Sequence, residues 1–274
     1  MRAKRPRSSG TALVTGASSG IGEEFARQLA VRGHDVVLVA RRKERLNSLA
    51  GTLSTLHAVM VEVVPADLTT QRGVAIVEKR IGAGDVDLLV NNAGVGSVGE
   101  FAQLPLEREV EQVDLNVRAL LELTHAALRS MIPHRRGTII NVASMAGFQP
   151  VPYNTTYAAT KAFVLHFSEA LHEEAKAHHI TVTCLCPGPV RTEFQQVAGI
   201  DSNRMGGRAL LHYMARENVH DVVKAALEAA EAGRAIAIPG RVNAAIVETA
   251  QVVPRRVVRK LAGASFRGQA GSGA

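Results

Sequence analysis

The sequence predicts one doubly wound parallel α/β sheet of about seven strands with helices on both faces, and three observations predict it. Short apolar, β-branched runs alternate along the chain with longer segments of helical period. The first run (residues 11–15, TALVT) passes straight into a glycine turn, GASSGIG, and then into a helix. The short run at residues 87–90 (DLLV) does not alternate, as a central strand covered on both faces would not.

A chain of 274 residues can bury a sizeable core, and its 46% of hydrophobic residues argues against global disorder. The formal charge of +7 is carried by the ends. Residues 1–10 contribute +4 and residues 241–274 contribute +5, which leaves −2 for the body between them. No nucleic-acid surface is therefore expected there. The organisation expected is a disordered basic leader (1–10), one folded domain (11–240), and a basic amphipathic extension (241–274) whose last residues, 262–274, are disordered. No apolar stretch follows the basic residues of the leader, and no run reaches the ~18 apolar residues of a membrane span, so a cytoplasmic location is expected. Cys184 and Cys186, two apart on one strand, are expected as buried thiols. No metal-ligand spacing occurs, and no metal is expected.

Taken in order, the glycine turn is followed by a helix at residues 23–31, with Phe25, Leu29 and Ala30 on one face. Strand, glycine turn and helix together form a phosphate-binding context, because backbone N–H groups and a helix N-terminus face one point; the glycines alone fit a plain tight turn equally well. Residues 36–40 are the second strand. The position after it, where a carboxylate would hold the ribose of NAD, carries Arg41 and Arg42 instead. Guanidinium suits the 2′-phosphate of NADP, which points to NADP(H) over NAD(H). The alternative, a basic start to the helix at 42–53, sets two positive charges against the helix dipole.

Residues 59–65 give the third strand, and Asp67-Leu68 after it fits a helix cap. The strand at 87–90 ends in Asn91-Asn92-Ala93-Gly94, polar turn residues where open α/β sheets bind ligands. Residues 106–130 read as a long amphipathic helix with Val110, Val113, Leu115, Leu120, Leu121 and Leu128 in the core and an unexplained Asn116 in its middle. A strand at 136–143, a helix at 155–177 and a strand at 180–186 follow. Residues 193–217 have no period, and their Phe194, Met205, Leu210, Tyr213 and Met214 suggest an apolar substrate. A helix at 218–232 and a short strand at 235–238 complete the body. Residues 242–261 form a basic amphipathic segment that fits a cover for the domain, a partner surface or peripheral membrane contact.

Ser144 ends the apolar run at 137–144, a buried strand entering a loop, and Tyr157 and Lys161 stand four apart on the next helix, hence on one face. On its own such a pair is an ordinary solvated helix face. An ammonium close to a phenol would nonetheless draw its pKa towards the working pH, and a serine hydroxyl beside it could hold a carbonyl oxygen.

The spacing Ser-(twelve residues)-Tyr-(three residues)-Lys resembles that of the short-chain dehydrogenase/reductase family, and residues 15–22 reproduce its TGxxxGIG segment. The resemblance runs over residues 11–192, weakens towards 240, and is similar to the branch that reduces 3-oxoacyl or steroid-like ketones. It implies a Rossmann-like fold and hydride transfer between NADP(H) and a small-molecule ketone or secondary alcohol, with Asn116, Ser144, Tyr157 and Lys161 catalytic. Asn116 would order a water linking Lys161 to solvent, and Lys161 would also hold the nicotinamide ribose. It implies cofactor contacts from Gly16, Ser18, Ser19, Gly20, Ile21 and Gly22. Arg41 and Arg42 would add theirs, Asp67 and Leu68 would lie against adenine, and Asn92, Ala93 and Gly94 along the cofactor. The residues Pro187, Gly188, Val190 and Thr192 match its PG-x-V-x-T, which meets the nicotinamide carboxamide and the phosphates. It further implies a homodimer or homotetramer through the helices at 106–130 and 155–177. The alternative is a silent NADPH-binding regulator or a membrane-associated scaffold.

Overall fold

The computed structural model describes residues 9–190, 192–194, 198 and 217–266, and the chain forms one seven-stranded sheet in the order β3-β2-β1-β4-β5-β6-β7. The strands are β1 (Thr11–Thr15), β2 (Asp35–Ala40), β3 (Val61–Pro65), β4 (Val86–Asn91), β5 (Gly137–Val142), β6 (Ile180–Leu185) and β7 (Ile236–Ala237), and every pairing is parallel. The order reverses between β1 and β4, so their carboxyl ends open a crevice at the switch point.

The helices are α1 (Gly20–Val31), α2 (Lys43–His57), α3 (Gln71–Ile81), α4 (Leu106–Val113), α5 (Leu120–Met131), α6 (Thr155–Lys176), α7 (Val219–Glu231), α8 (Arg241–Val252) and α9 (Arg255–Phe266). Continuous apolar strands need cover on both sides, and two core clusters supply it. One packs Phe25 and Leu29 of α1 and Val222 and Leu227 of α7 against Val14, Leu38 and Ile140. The other packs Val74, Val77 and Ile81 of α3 and Leu123 of α5 against Leu13, Val37 and Leu89. A buried polar rung ties the two central strands to their helices. Asn91 donates to Thr124 of α5 at 2.9 Å and to Asn141 of β5 at 3.0 Å, and Asn141 donates to Ser168 of α6 at 3.0 Å.

Five expectations change. α3, the helix implied by the expected cap at Asp67 but given no range, is capped by Thr70, whose hydroxyl accepts from Gly73 N at 3.1 Å. Asp67 is not the cap; its carboxylate accepts from the amide and hydroxyl of Thr69. The helix at 106–130 is two helices joined by a π turn (Asp114–Ala119), and α4 lies with its polar side inward. Glu109 and Gln112 are buried on Ser97, so Val110 and Val113 face out, as does Leu121, while Leu120 is buried as expected. Leader residue Ser9 is tied to the turn after α1 through Gly33 O and Arg32 O. At the other end α9 continues helical to Phe266.

The C-terminal helices pack on the body. Gly240 turns the chain with φ 78°, and α8 buries Asn243 and Val247 and lies against the Met145–Phe148 turn. Exposed Arg255, Arg256, Arg259 and Lys260 line α9, with Ala262 buried beneath. Among the described residues no helix is long and apolar enough to cross a membrane. Cys184 and Cys186 are free, buried thiols 3.6 Å apart. Of residues 193–217, Met205, Leu210, Tyr213 and Met214 lie outside the described residues.

Candidate active site

A cleft of about 520 Å³ opens over the carboxyl ends of β1, β2, β4, β5 and β6. At its centre the β1–α1 turn meets the turn after β4. Thr15, buried at the end of β1, donates through its hydroxyl to Val90 O at 3.2 Å and accepts from Asn92 N at 2.9 Å and Ala93 N at 3.0 Å. The Asn92 amide donates to Thr15 O at 2.9 Å. Gly16 and Gly20 are required here, because both have positive φ and neither has room for a side chain. A Cβ on Gly16 would stand 2.7 Å from Asn92 Nδ2, and one on Gly20 would stand 3.0 Å from Thr192. Ser19 is the N-cap of α1 but makes no capping bond, so the first N–H groups of the helix stay available beside the cleft.

The hydroxyls of Ser18 and Ser19 turn instead towards β2. Arg42 donates to Ser18 Oγ at 2.9 Å and to Ser19 Oγ at 2.7 Å. Both expected arginines line the cleft: Arg42 joins the glycine turn, and Arg41 stands 3.7 Å from Glu111 of α4. Sequence reading missed Arg45 and Glu193, which join Arg42 at this end of the cleft. Asp67, Leu68, Ala93 and Gly94 line the wall between the two ends.

At the other end stand the four residues expected to be catalytic. Ser144 opens the turn Met145–Phe148, its hydroxyl accepts from Ala146 N at 3.1 Å, and it lines the cleft with Tyr157. Burial pushes the Tyr157 phenol up to about 12, opposed by Ser144, so it is protonated at ordinary pH. Lys161 is 5% exposed, with its ammonium 5.6 Å from the Tyr157 ring centre and donating to Val142 O at 2.8 Å. Burial lowers it to about 8. The expectation that Lys161 draws the phenol down is not met in the free protein, since burial disfavours both charged forms. Asn116 sits in the π turn and is 1% exposed. Its amide brackets Val95, accepting from Val95 N at 3.0 Å and donating to Val95 O at 2.9 Å, and it donates to Thr160 Oγ1 at 3.1 Å. Thr160 in turn donates to Tyr157 O at 2.8 Å, so Asn116 fixes the first turn of α6.

Pro187, Gly188, Val190 and Thr192 line the far lip. Met145 N donates to Pro187 O at 3.0 Å, which joins this lip to the Ser144 turn. Asn243 of α8, which sequence reading did not single out, backs Gly188 so closely that a Cβ there would stand 2.6 Å from its Nδ2. Phe194 lies on Tyr157 with ring centres 5.4 Å apart.

The donor set fits a dinucleotide with a phosphate at the Arg42 end: glycines that clear space, free helix N–H groups, and a guanidinium flanked by two hydroxyls.

Residues 10–203 match the family model for short chain dehydrogenase. A very-long-chain 3-oxoacyl-CoA reductase of Anas platyrhynchos is 35% identical over 195 residues, which are 68% of this chain and 62% of that protein, so the match spans less than two thirds of that relative's length. A short-chain dehydrogenase of Sphingobium yanoikuyae, solved in complex with NADPH, superposes with a TM-score of 0.80 at 35% identity, covering 97% of this chain and 98% of the other. A bulky-bulky ketone specific alcohol dehydrogenase of Comamonas testosteroni superposes with a TM-score of 0.77 at 32% identity, covering 98% of both chains. With its motifs gathered around one cleft at the switch point, the chain belongs to the short-chain dehydrogenase/reductase family of oxidoreductases acting on alcohol and carbonyl groups.

Proposed function

We propose that this protein is an NADP(H)-dependent oxidoreductase for bulky, apolar ketones and secondary alcohols, with 3-oxoacyl or other lipid-like substrates as the first candidates. One observation carries the reading: Ser144 and Tyr157 line an apolar end of the cleft whose opposite end is the cationic Arg42–Ser18–Ser19 group. Val98, Met145, Val151 and Phe194 line the apolar end. The names of the relatives, a 3-oxoacyl-CoA reductase and a bulky-ketone dehydrogenase, agree with such a pocket.

A nicotinamide in this cleft would supply or accept the hydride. Ser144 and Tyr157 would hold the substrate oxygen between two hydroxyls, and Tyr157, a phenol until then, would hand it a proton as negative charge develops there. Lys161, as ammonium below about pH 8, would stabilise the phenolate left behind. Asn116 would order the water through which Lys161 is resupplied with protons. The exposed apolar stripe of α4 and α5 and the exposed Phe163 of α6 support a homodimer or homotetramer.

The test is oxidation of NADPH, with NADH as control, against 3-oxoacyl thioesters, steroid ketones, aromatic ketones and sugars. Turnover of the bulky apolar classes with NADPH is expected; turnover of sugars alone would overturn the substrate class. Tyr157→Phe is expected to lose at least about 10²-fold in kcat, as removal of a general acid does, with NADPH affinity within about twofold of the wild type. A variant that loses NADPH binding would remove the acid role from Tyr157.

A further inference from the structure

Arg42 and Arg45 grip a carboxylate of the chain itself across the mouth of the cleft. Glu193 Oε2 accepts from Arg42 Nη1 at 2.8 Å, and its Oε1 accepts from Arg45 Nη1 at 2.6 Å. The two partners come from opposite lips. The arginines belong to the start of α2, whereas Glu193 follows Thr192, which fills the space a side chain on Gly20 would need, and precedes Phe194, which lies on Tyr157. The remaining N–H groups of Arg42 donate to Ser18 and Ser19. Two guanidinium groups and two hydroxyls form a donor set suited to a phosphate dianion, and a single carboxylate now fills it with one negative charge.

We propose that Glu193 is an internal competitor for the 2′-phosphate of the cofactor: it occupies Arg42 and Arg45 in the free protein, must be displaced when NADPH binds, and thereby narrows the preference for NADPH over NADH. The proposal rests on the NADP(H) reading above. The three side chains are each about two-fifths to one-half exposed (Arg42 42%, Arg45 50%, Glu193 41%), so the carboxylate is held weakly enough to yield to a dianion. Arg42 and then Arg45 hold the Glu193 carboxyl below its ordinary range, so it stays charged at any working pH and the competition does not lapse. A cofactor without the phosphate has nothing to exchange for it and meets no competition.

Calorimetric titration of the full chain tests this without turnover. Wild type and Glu193→Gln are titrated with NADPH, NADH, 2′,5′-ADP and 5′-AMP at low and high salt. The variant is expected to bind NADPH and 2′,5′-ADP about 3- to 10-fold more tightly, the worth of two exposed ion pairs, and NADH and 5′-AMP within about twofold. The gain should shrink at high salt, where exposed pairs are screened. If the wild type prefers 2′,5′-ADP to 5′-AMP and Glu193→Gln leaves that preference unchanged or weaker, Glu193 is not a competitor. If the wild type binds 2′,5′-ADP and 5′-AMP alike, the NADP(H) reading itself falls, and this proposal with it.

Discussion

Lys161 carries its ammonium into the interior, where only 5% of the residue is exposed, and donates to the Val142 carbonyl. Burial lowers its pKa to about 8, while the unfolded chain keeps the ordinary lysine value near ~10.4. The sign of the stability effect follows. Below pH about 8 both states hold the proton, and the folded protein bears the whole penalty. Between about 8 and 10.4 the unfolded state binds more protons, so stability rises with pH until the penalty is gone. A displacement of this size is worth about 3 kcal/mol, and losing the bond to Val142 O costs about 1 kcal/mol. Lys161→Met is therefore expected to be more stable than wild type by about 1–2 kcal/mol at pH 7, to lose that advantage by pH about 10.5, and to be inactive throughout. Thermal melts of both proteins across that range check it, and a variant less stable at pH 7 would mean that the ammonium is a stabilising group. A cation kept at such a penalty, beside a phenol that burial holds at about 12, marks the pair as a candidate functional site rather than a stabilising one.

The glycine turn, the Asn91–Gly94 turn and the Ser144, Tyr157 and Lys161 spacing were legible because each is local: a few neighbouring residues carry both the backbone geometry and the chemistry. The strands were legible for the same reason, since continuous apolar runs have few other uses in a chain of this size. What could not be read depends on residues far apart. Thr15 clamps the β4 turn from 77 positions away, Glu193 reaches Arg42 across 151, and α4 turns its polar side inward only because Ser97 waits there. α3 was legible in principle, with Val74, Val77 and Ile81 on one face, but Gly73 in its first turn disguises it; that glycine is demanded by the Asp67 carbonyl, which a Cβ would strike. The contact between α8 and the lip after β6 is of the same distant kind and can be measured. A methyl at Gly188 would stand 2.6 Å from Asn243 Nδ2 and has to push it aside. Gly188→Ala is expected to cost about 1–3 kcal/mol, as overpacking does, and Asn243→Ala about 1–2 kcal/mol for the lost bond to Pro239 O. The double variant is expected to be about 1–2 kcal/mol better than the sum, because removing Asn243 makes room for the methyl. Urea unfolding of the four proteins gives the coupling, and additivity within about 0.5 kcal/mol would show that α8 does not back this loop.

One sheet with helices on both sides satisfies the apolar strands, yet the molecule leaves apolar side chains in solvent along one flank. Leu106, Val110 and Val113 of α4 and Leu121 of α5 are exposed, and on α6 Phe163 is exposed and stacked on Phe167 with ring centres 5.5 Å apart. α4 packs on α6, so the stripe and the aromatic pair belong to neighbouring helices. The inversion of α4 explains why: the buried Ser97–Glu109–Gln112 cluster takes the inner side, and the apolar residues have no core to enter. Glu109 and Gln112 fix the loop after β4, the same loop whose Val95 is bracketed by Asn116, so the wall of the cleft and the outward stripe are two consequences of one helix orientation. A patch of this kind on a water-facing surface is expected to be covered by a second copy of the chain. Leu121→Glu combined with Phe163→Glu places charges in that interface and is expected to reduce the assembly to a monomer by light scattering, with the thermal midpoint lowered and dependent on protein concentration in the wild type only. If the assembly needs this face to hold α4 in place, the dissociated variant should also lose turnover by raising KM for the ketone, because α4 anchors the loop that forms the substrate wall. A double variant that keeps the wild-type mass would assign the stripe to some other contact and free the site from any dependence on assembly.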